Sequence, residues 1–339
     1  MGRERCLLAG SSAPLRAMTA PDVTVAVVSW NTHDLLRDCL ESLAADADRG
    51  RAAVWVVDNG SSDGSPDLVR ETFPWARLVV PETNLGFGRA VNLVADQTSS
   101  PWIAPSNADV RLRPGALAAL QAVGERHPGV GWVAPRLLLP DGTVQHSVFP
   151  FPSPVAAMAQ QLGVPTLVRG FGDERCLPGF WDSSRPREVP WAVGAFILVR
   201  RTAWAAVRGF DERQWMYAED LDLGWRLTRA GWRCRYEPSA LVEHAESAAT
   251  DQAFGGRKTL RWMMATYGWV AWRRGVLVAW TMAAIGVSGA TLRWLLGSAL
   301  RGLGRSNGET MKQRALFWME MHRTGLRSRT ALLAQGSAE

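Results

Sequence analysis

Between residues 23 and 107 the chain alternates four times between a short apolar run and a segment whose apolar residues recur at helical spacing. The runs cover residues 23–28, 52–57, 77–80 and 102–104. They are too short for helices, and they show no polar alternation, as expected of strands buried on both faces of a parallel sheet. After the first run, Leu35, Leu36, Cys39, Leu40 and Leu43 share one helical face, with Asp34 in the first turn. Strand and helix in strict alternation predict an α/β protein with a mostly parallel, doubly wound sheet and flanking helices. In such sheets ligands bind in the crevice just beyond the C-terminal ends of the strands. Asp58, Asn84, Arg89, Asn107 and Asp109 all fall there.

The stretch Ser106-Asn107-Ala108-Asp109-Val110 follows the fourth run and precedes a helix-start signal at Arg113-Pro114-Gly115. Magnesium and manganese take carboxylate oxygen, keep several waters and share their remaining positions with substrate phosphates. Asp109 in that role needs a phosphate-bearing partner and at least one further protein ligand. The competing reading is an Asx-turn and helix cap. Gly86-Phe87-Gly88 resembles a dinucleotide fingerprint only superficially, because position 91 is valine and the loop follows the third run. The glycines there free the backbone for a turn that lets Arg89 face a phosphate; otherwise Arg89 is a solvated helix residue.

Prolines at positions 140, 150, 152, 154, 165, 178, 186 and 190 break up regular structure over residues 140–190. A long irregular insert inside a compact domain is usually functional, as a binding loop is. Strand pattern returns over residues 193–199, next to Trp191. Then Tyr217-Ala218-Glu219-Asp220-Leu221-Asp222 places three carboxylates in four positions at the mouth of a helix running to Ala230. Acids there complement the helix dipole, or one of them serves as general base toward a substrate hydroxyl. Residues 232–236 and 240–242 read as two short strands, and His244 follows the second with Glu243 beside it. Most lone histidines are structural. At a strand end, His244 is a candidate for the second metal ligand that Asp109 requires.

With these motifs in order, residues 23–246 resemble the family 2 inverting glycosyltransferases of the GT-A fold, most of all bacterial rhamnosyltransferase-type enzymes. The resemblance implies that the Asp58-Asn59-Gly60-Ser61 loop holds the nucleotide base through Asp58. The segment from Asn84 to Asn92 would lie along the nucleotide diphosphate, with Arg89 its basic residue. Asn107-Ala108-Asp109 matches the metal-binding Asp-x-Asp, and His244 a histidine completing that site. Gly194-Ala195-Phe196 matches a segment near the donor sugar and acceptor. The Glu219-Asp220 pair matches the motif whose aspartate is the catalytic base, with Glu219, Asp222 and Trp191 as supports. The implied cofactor is Mg2+ or Mn2+. Asn107 replaces an acid, offering a neutral oxygen without charge, so metal binding would be weaker or would need the nucleotide present.

The implied reaction moves a sugar, rhamnose from dTDP-rhamnose by resemblance, to a hydroxyl of a lipid-linked or polysaccharide acceptor in cell-envelope glycan synthesis. Uridine-diphosphate sugars remain open as donors. A nucleotidyltransferase making nucleotide sugars usually carries a Gly-rich basic loop after the first strand, where this chain has Ser29-Trp30-Asn31-Thr32. A non-catalytic sugar-nucleotide-binding scaffold is suggested by Asn107 and opposed by the intact Glu219-Asp220 pair.

The rest of the chain bears on location. Residues 1–22 read as a disordered tail or a misassigned start with Met18 as first residue, since the apolar core 6–10 is too short for a signal peptide. Residues 23–249 form the expected catalytic domain and 250–339 a helical, membrane-associated region. Residues 254–272 are basic and tryptophan-containing, 276–292 carry no charge, and 311–333 are again basic and amphipathic. A charge-free stretch of ~17 residues sits at the lower limit for crossing a bilayer. It is either a buried helix or a segment lying in, or shallowly inserted into, the cytoplasmic face of the cell membrane. The net charge of +6 suits phosphate or anionic lipid. No zinc-finger or RNA-binding signature accompanies it, so nucleic acid is not an expected partner. The four cysteines are widely spaced, without a CxxC, which suits a reducing compartment.

Overall fold

A computed structural model describes residues 21–162, 170–177, 179–245 and 258–327. The expected N-terminal tail, apart from its last two positions, lies outside the described residues. The elements in order are β1 (Val23–Ser29), α1 (His33–Asp48), β2 (Ala52–Asp58), α2 (Ser65–Thr72), β3 (Arg77–Val79), α3 (Gly86–Asp96), β4 (Trp102–Asn107), β5 (Val110–Leu112) and α4 (Ala116–Arg126). Then come β6 (Val130–Leu138), β7 (Val148–Phe149), α5 (Pro154–Gln161), α6 (Phe171–Glu174), β8 (Arg187–Val189), β9 (Trp191–Ala192), β10 (Leu198–Arg200), α7 (Arg201–Val207), α8 (Glu219–Arg229) and β11 (Arg233–His244). Three long helices follow, α9 (Lys258–Arg274), α10 (Val276–Gly302) and α11 (Asn307–Arg327).

The main sheet runs β3-β2-β1-β4-β10-β6-β11-β5, with β8 added on β11. β1, β2, β3 and β4 are parallel, as the apolar runs predict. The second half is mixed: β10 is antiparallel to both neighbours, while β6 and β11 are parallel. The reversal follows from the insert, which keeps the chain at the C-terminal edge of the sheet, so that β10 enters from that side. Alternate residues of β1 serve two cores, as a doubly wound sheet requires. Val25 and Val27 pack with Leu36, Leu40 and Leu43 of α1 and Leu117 and Leu120 of α4. Ala26 packs on the other face, with Val91 and Val94 of α3 and Leu221 and Leu227 of α8.

Two expectations change. The two short strands expected over residues 232–242 are one twelve-residue strand, β11. Its pairing with β6 shifts register between Glu237 and Leu241, where Pro238 has no N–H to donate. The expected boundary at residues 249–250 lies outside the described residues, but the helix after it shares a core with the elements before it. Met263, Ala265, Tyr267, Trp269 and Val270 of α9 are buried in the same core as the catalytic-domain residues Leu221 and Leu223. Asp222 explains this attachment: fully buried, it accepts hydrogen bonds from Trp269 Nε1 at 2.9 Å, Arg273 Nε at 2.6 Å and Arg226 Nε at 2.6 Å.

The charge-free segment belongs to a longer helix, the 27-residue α10, which is long and apolar enough to cross a membrane by length and composition. It forms an antiparallel hairpin with α11, in which Gly297 abuts the Gly308 carbonyl and Gly286 abuts the His322 ring. Leu277, Trp280, Leu292 and Leu295 of α10 are more than half exposed.

Candidate active site

The sheet brings Asp109 and His244 together through the main chain. Antiparallel pairing of β5 with β11 sets His244 opposite Val110, and the Ala245 N–H donates to the Asp109 carbonyl at 2.9 Å. Both side chains are over nine-tenths buried, with His244 Nε2 3.4 Å from Asp109 Oδ1. Asp109 Oδ1 receives no hydrogen bond. His244 Nδ1 lies 2.9 Å from Gln145 Oε1. With the Nδ1 proton donated to that oxygen, the Nε2 lone pair faces Asp109 and the cleft, as in metal-ligating histidines. Asn107 stands beside them, its Nδ2 3.5 Å from His244 Nε2. Among the described residues, no three His, Cys, Asp or Glu side chains cluster closely enough to enclose a metal. The Asp109 carboxylate and the His244 imidazole, with the Asn107 amide beside them, nevertheless fit Mg2+ or Mn2+, which leave positions for water and phosphate.

Opposite this group stands the mouth of α8. Asp220 Oδ2 accepts the Gly194 N–H at 3.0 Å and Asp220 Oδ1 the Leu221 N–H at 2.7 Å. Gly194 permits this approach, since a Cβ there would lie 3.2 Å from the Asp220 Cβ. Two consecutive non-glycine residues with positive φ, Tyr217 at 59° and Ala218 at 64°, turn the chain into α8. Enclosure in the cleft wall pushes the Glu219 carboxyl from 4.5 up to about 8, and the neighbouring Asp220 charge adds to the rise. Burial also raises Asp220, opposed by the N–H groups of Gly194 and Leu221. At neutral pH Glu219 holds its proton, while the N–H groups of Gly194 and Leu221 favour the charged form of Asp220. Neighbouring carboxyls in such different hydrogen-bonding environments are the pattern of an acid–base site.

Asp109, His244, Asp220, Glu219, Asn107 and Gly194 all line one cleft of about 2150 Å³. Asn84 and Trp191 line it too. Asn84 Oδ1 accepts the Gly86 N–H at 2.8 Å and shapes the turn into α3. Trp191 stacks on Phe149 at 5.3 Å and donates from Nε1 to the Pro150 carbonyl. The irregular insert supplies Gln145, His146, Phe149 and Ser153 to the wall, so it does take part in the cleft.

Three expected site residues lie elsewhere. Asp58 is fully buried and turned into its own loop, where its oxygens accept from Ser61 N at 2.8 Å, Ser61 Oγ at 2.7 Å and Gly60 N at 3.2 Å. Its neighbour Asn59 reaches the cleft instead. Arg89, three positions into α3, is half exposed off the cleft and pairs with Glu212 at 3.4 Å. Asp222, two positions beyond Asp220, points to the opposite side of α8 and is a structural anchor for α9.

Sequence reasoning also missed Gln145, Asn59 and Trp215. No spacing rule marks Gln145. Asn59 bridges two loops, donating to the Gly86 carbonyl and accepting from Leu85 N at 3.1 Å. Trp215 covers Gly86, where a Cβ would fall 2.7 Å from its ring.

Residues 21–265 match the family described as "Glycosyltransferase like family 2". The chain belongs to this family. It is a glycosyltransferase, and the matched span runs into α9, consistent with the shared core. An N-acetylglucosaminyl-diphospho-decaprenol L-rhamnosyltransferase of Mycobacterium tuberculosis is 36% identical over 250 residues, covering 67% of this chain and 76% of that protein. A pre-mycofactocin glycosyltransferase of the same species is 32% identical over 314 residues, covering 89% of this chain and 58% of that one. Among solved structures, the mannosyltransferase PcManGT of Pyrobaculum calidifontis, in complex with GDP-mannose and Mn2+, superposes with a TM-score of 0.56. At 18% identity, with 94% of this chain and 89% of that one covered, this likeness establishes the GT-A fold.

Proposed function

We propose that this glycosyltransferase moves rhamnose, with inversion, from a nucleotide diphosphate to a hydroxyl of a lipid-linked acceptor in cell-envelope glycan synthesis. The observation that carries the proposal is the placement of Asp220 across one cleft from Asp109 and His244. A donor whose diphosphate lies at Asp109 turns its anomeric carbon toward α8. Asp220, oriented by two backbone N–H groups that favour its charged form, takes the proton of the acceptor hydroxyl as that oxygen attacks. The bond from the anomeric carbon to the diphosphate oxygen breaks on the opposite face, and one displacement inverts the centre. Glu219, protonated at neutral pH, adds no second negative charge beside Asp220 in the cleft. Asp109, His244 and the Asn107 amide oxygen are the residues to hold a divalent cation, which when bound supplies charge stabilisation to the departing diphosphate. Arg89 is left out of this step, and the Asp58 loop shapes the nucleotide pocket with Asn59 at its surface.

The rhamnosyl donor and the lipid-linked acceptor are supported by the mycobacterial relative's name. Action at a membrane surface is supported by the exposed apolar side of α10.

The test uses full-length protein with dTDP-rhamnose or UDP-sugars, Mn2+ or Mg2+, and a prenyl-diphosphate-linked N-acetylglucosamine acceptor. Rhamnose transfer with inverted anomeric configuration is expected. The Asp220→Asn variant should bind donor normally while losing a factor of about 10²–10⁴ in turnover, the usual share of a general base. Wild-type turnover in that variant would remove Asp220 from the role. Transfer with retention would overturn the single displacement.

A further inference from the structure

The cleft is far larger than the donor and one acceptor sugar require. Small-molecule sites commonly enclose about 300–1,000 Å³, against about 2150 Å³ here. The excess is walled by α5 and the three C-terminal helices. α10 contributes Met282, Gly286, Ala290 and Arg293, spaced by four, four and three, and hence one stripe of the helix. α11 contributes Met311, Arg314, Ala315, Trp318 and His322, again along one face. Gly297 meets Gly308, and Gly286 meets His322, so the antiparallel register sets Arg293 about level with Arg314.

Charge divides the cleft. Its acids, Asp109, Glu219 and Asp220, all belong to the catalytic end. The lining of α9–α11 carries Arg261, Arg293 and Arg314 and no carboxylate. Arg314 is exposed and makes no ion pair among the described residues. Arg293 donates to Gln161 of α5 and forms no ion pair among the described residues. Around the arginines the lining mixes methionine, alanine, glycine and tryptophan with the polar Thr266, Asn307, Thr310 and His322. Methionine adapts to irregular, flexible apolar surfaces. A compartment of this kind suits a flexible hydrocarbon with an anionic end.

We propose that the compartment between α5 and α9–α11 holds the first part of the acceptor's hydrocarbon chain, and that Arg293 and Arg314 receive the acceptor's diphosphate. The assignment rests on the lipid-linked acceptor above. It makes the C-terminal helices a substrate-binding wall as well as a surface toward the membrane.

Binding of sugar-free probes tests this. Inorganic pyrophosphate, isopentenyl diphosphate and farnesyl diphosphate are titrated into full-length protein by calorimetry, below micellar concentrations and with dTDP saturating the nucleotide site. Farnesyl diphosphate should bind at least tenfold tighter than isopentenyl diphosphate, and pyrophosphate weakest. Arg314→Glu should weaken farnesyl diphosphate at least tenfold, with dTDP affinity reporting that the variant is folded. Ala290→Phe, which narrows the compartment, should remove the chain-length preference and leave pyrophosphate binding intact. Equal affinity for the two prenyl probes, displacement of farnesyl diphosphate by dTDP, or an unchanged Arg314→Glu variant would each overturn the proposal. These outcomes leave sugar transfer intact, whereas failure to bind any nucleotide sugar would sink the underlying function instead.

Discussion

The anchor between α8 and α9 is the most demanding point to perturb. Arg273 donates to both oxygens of Asp222, at 2.6 Å from Nε and 3.0 Å from Nη2, and its Nη2 also lies 3.1 Å from Asp211. Asp222 is fully buried and Arg273 only 21% exposed, so solvent screens this pair little. Deleting one partner of a buried pair costs about 3–5 kcal/mol, because the remaining charge stays desolvated. In Arg273→Leu, Arg226 and Trp269 still face Asp222, which places the expected loss near the lower end, about 3 kcal/mol. Urea denaturation followed by circular dichroism measures it. The double variant Asp222→Leu, Arg273→Leu should lose less than the sum of the single losses by at least about 1 kcal/mol, the range for groups in direct contact. Because α8 begins at Glu219, loosening this anchor should also lower turnover of whatever protein remains folded. A loss under about 1 kcal/mol, or strict additivity, would refute the view that this cluster ties the two helices together.

Other perturbations follow from the same geometry. Glu219 holds its proton in the folded state up to about pH 8 but releases it near 4.5 when unfolded, so stability should fall as pH rises through that window. Thermal midpoints of wild type and Glu219→Gln at pH 5 and pH 8 should diverge in that direction; a pH-independent difference would contradict it. Turnover should decline as pH falls through the raised Asp220 titration, above the ordinary carboxylate range, and a pH–rate profile reads this directly. Gln145→Leu removes the group that orients the His244 ring and should weaken Mn2+ binding in the presence of nucleotide about 10–100-fold, measured by titration calorimetry. Gly194→Ala crowds Asp220 at 3.2 Å and should reduce turnover about tenfold, a barrier increase of about 1.4 kcal/mol, with little change in donor affinity.

What could be read from the sequence was what local pattern dictates. The apolar runs became parallel strands, β1, β2 and β4 in the sheet interior and β3, with its exposed Arg77, at the edge. Asp109, Asp220 and His244 were legible as a set because each ends or begins an element at one edge of the sheet. Direction was harder. Arg89 and Asp222 lie within a turn of residues that do face the cleft, and helix phase alone sends them away from it. Asp58 sits at the right place in the chain, yet its oxygens close a turn on Gly60 and Ser61. The C-terminal helices were legible as helices but not as neighbours. Basic, tryptophan-rich spacing looks alike whether it meets lipid or, as with Trp269 and Arg273, a buried aspartate.

The three-residue pairing of β5 with β11 has a corollary for how this protein tolerates change. Side chains alternate across a strand, so a slip of one position would send the His244 ring to the far face of the sheet and Glu243 into its place. Substitutions at residues 240–243 leave that phase untouched. A single insertion or deletion between the kink at Pro238 and the strand end would reset it. Length, more than identity, is what this segment has to keep constant.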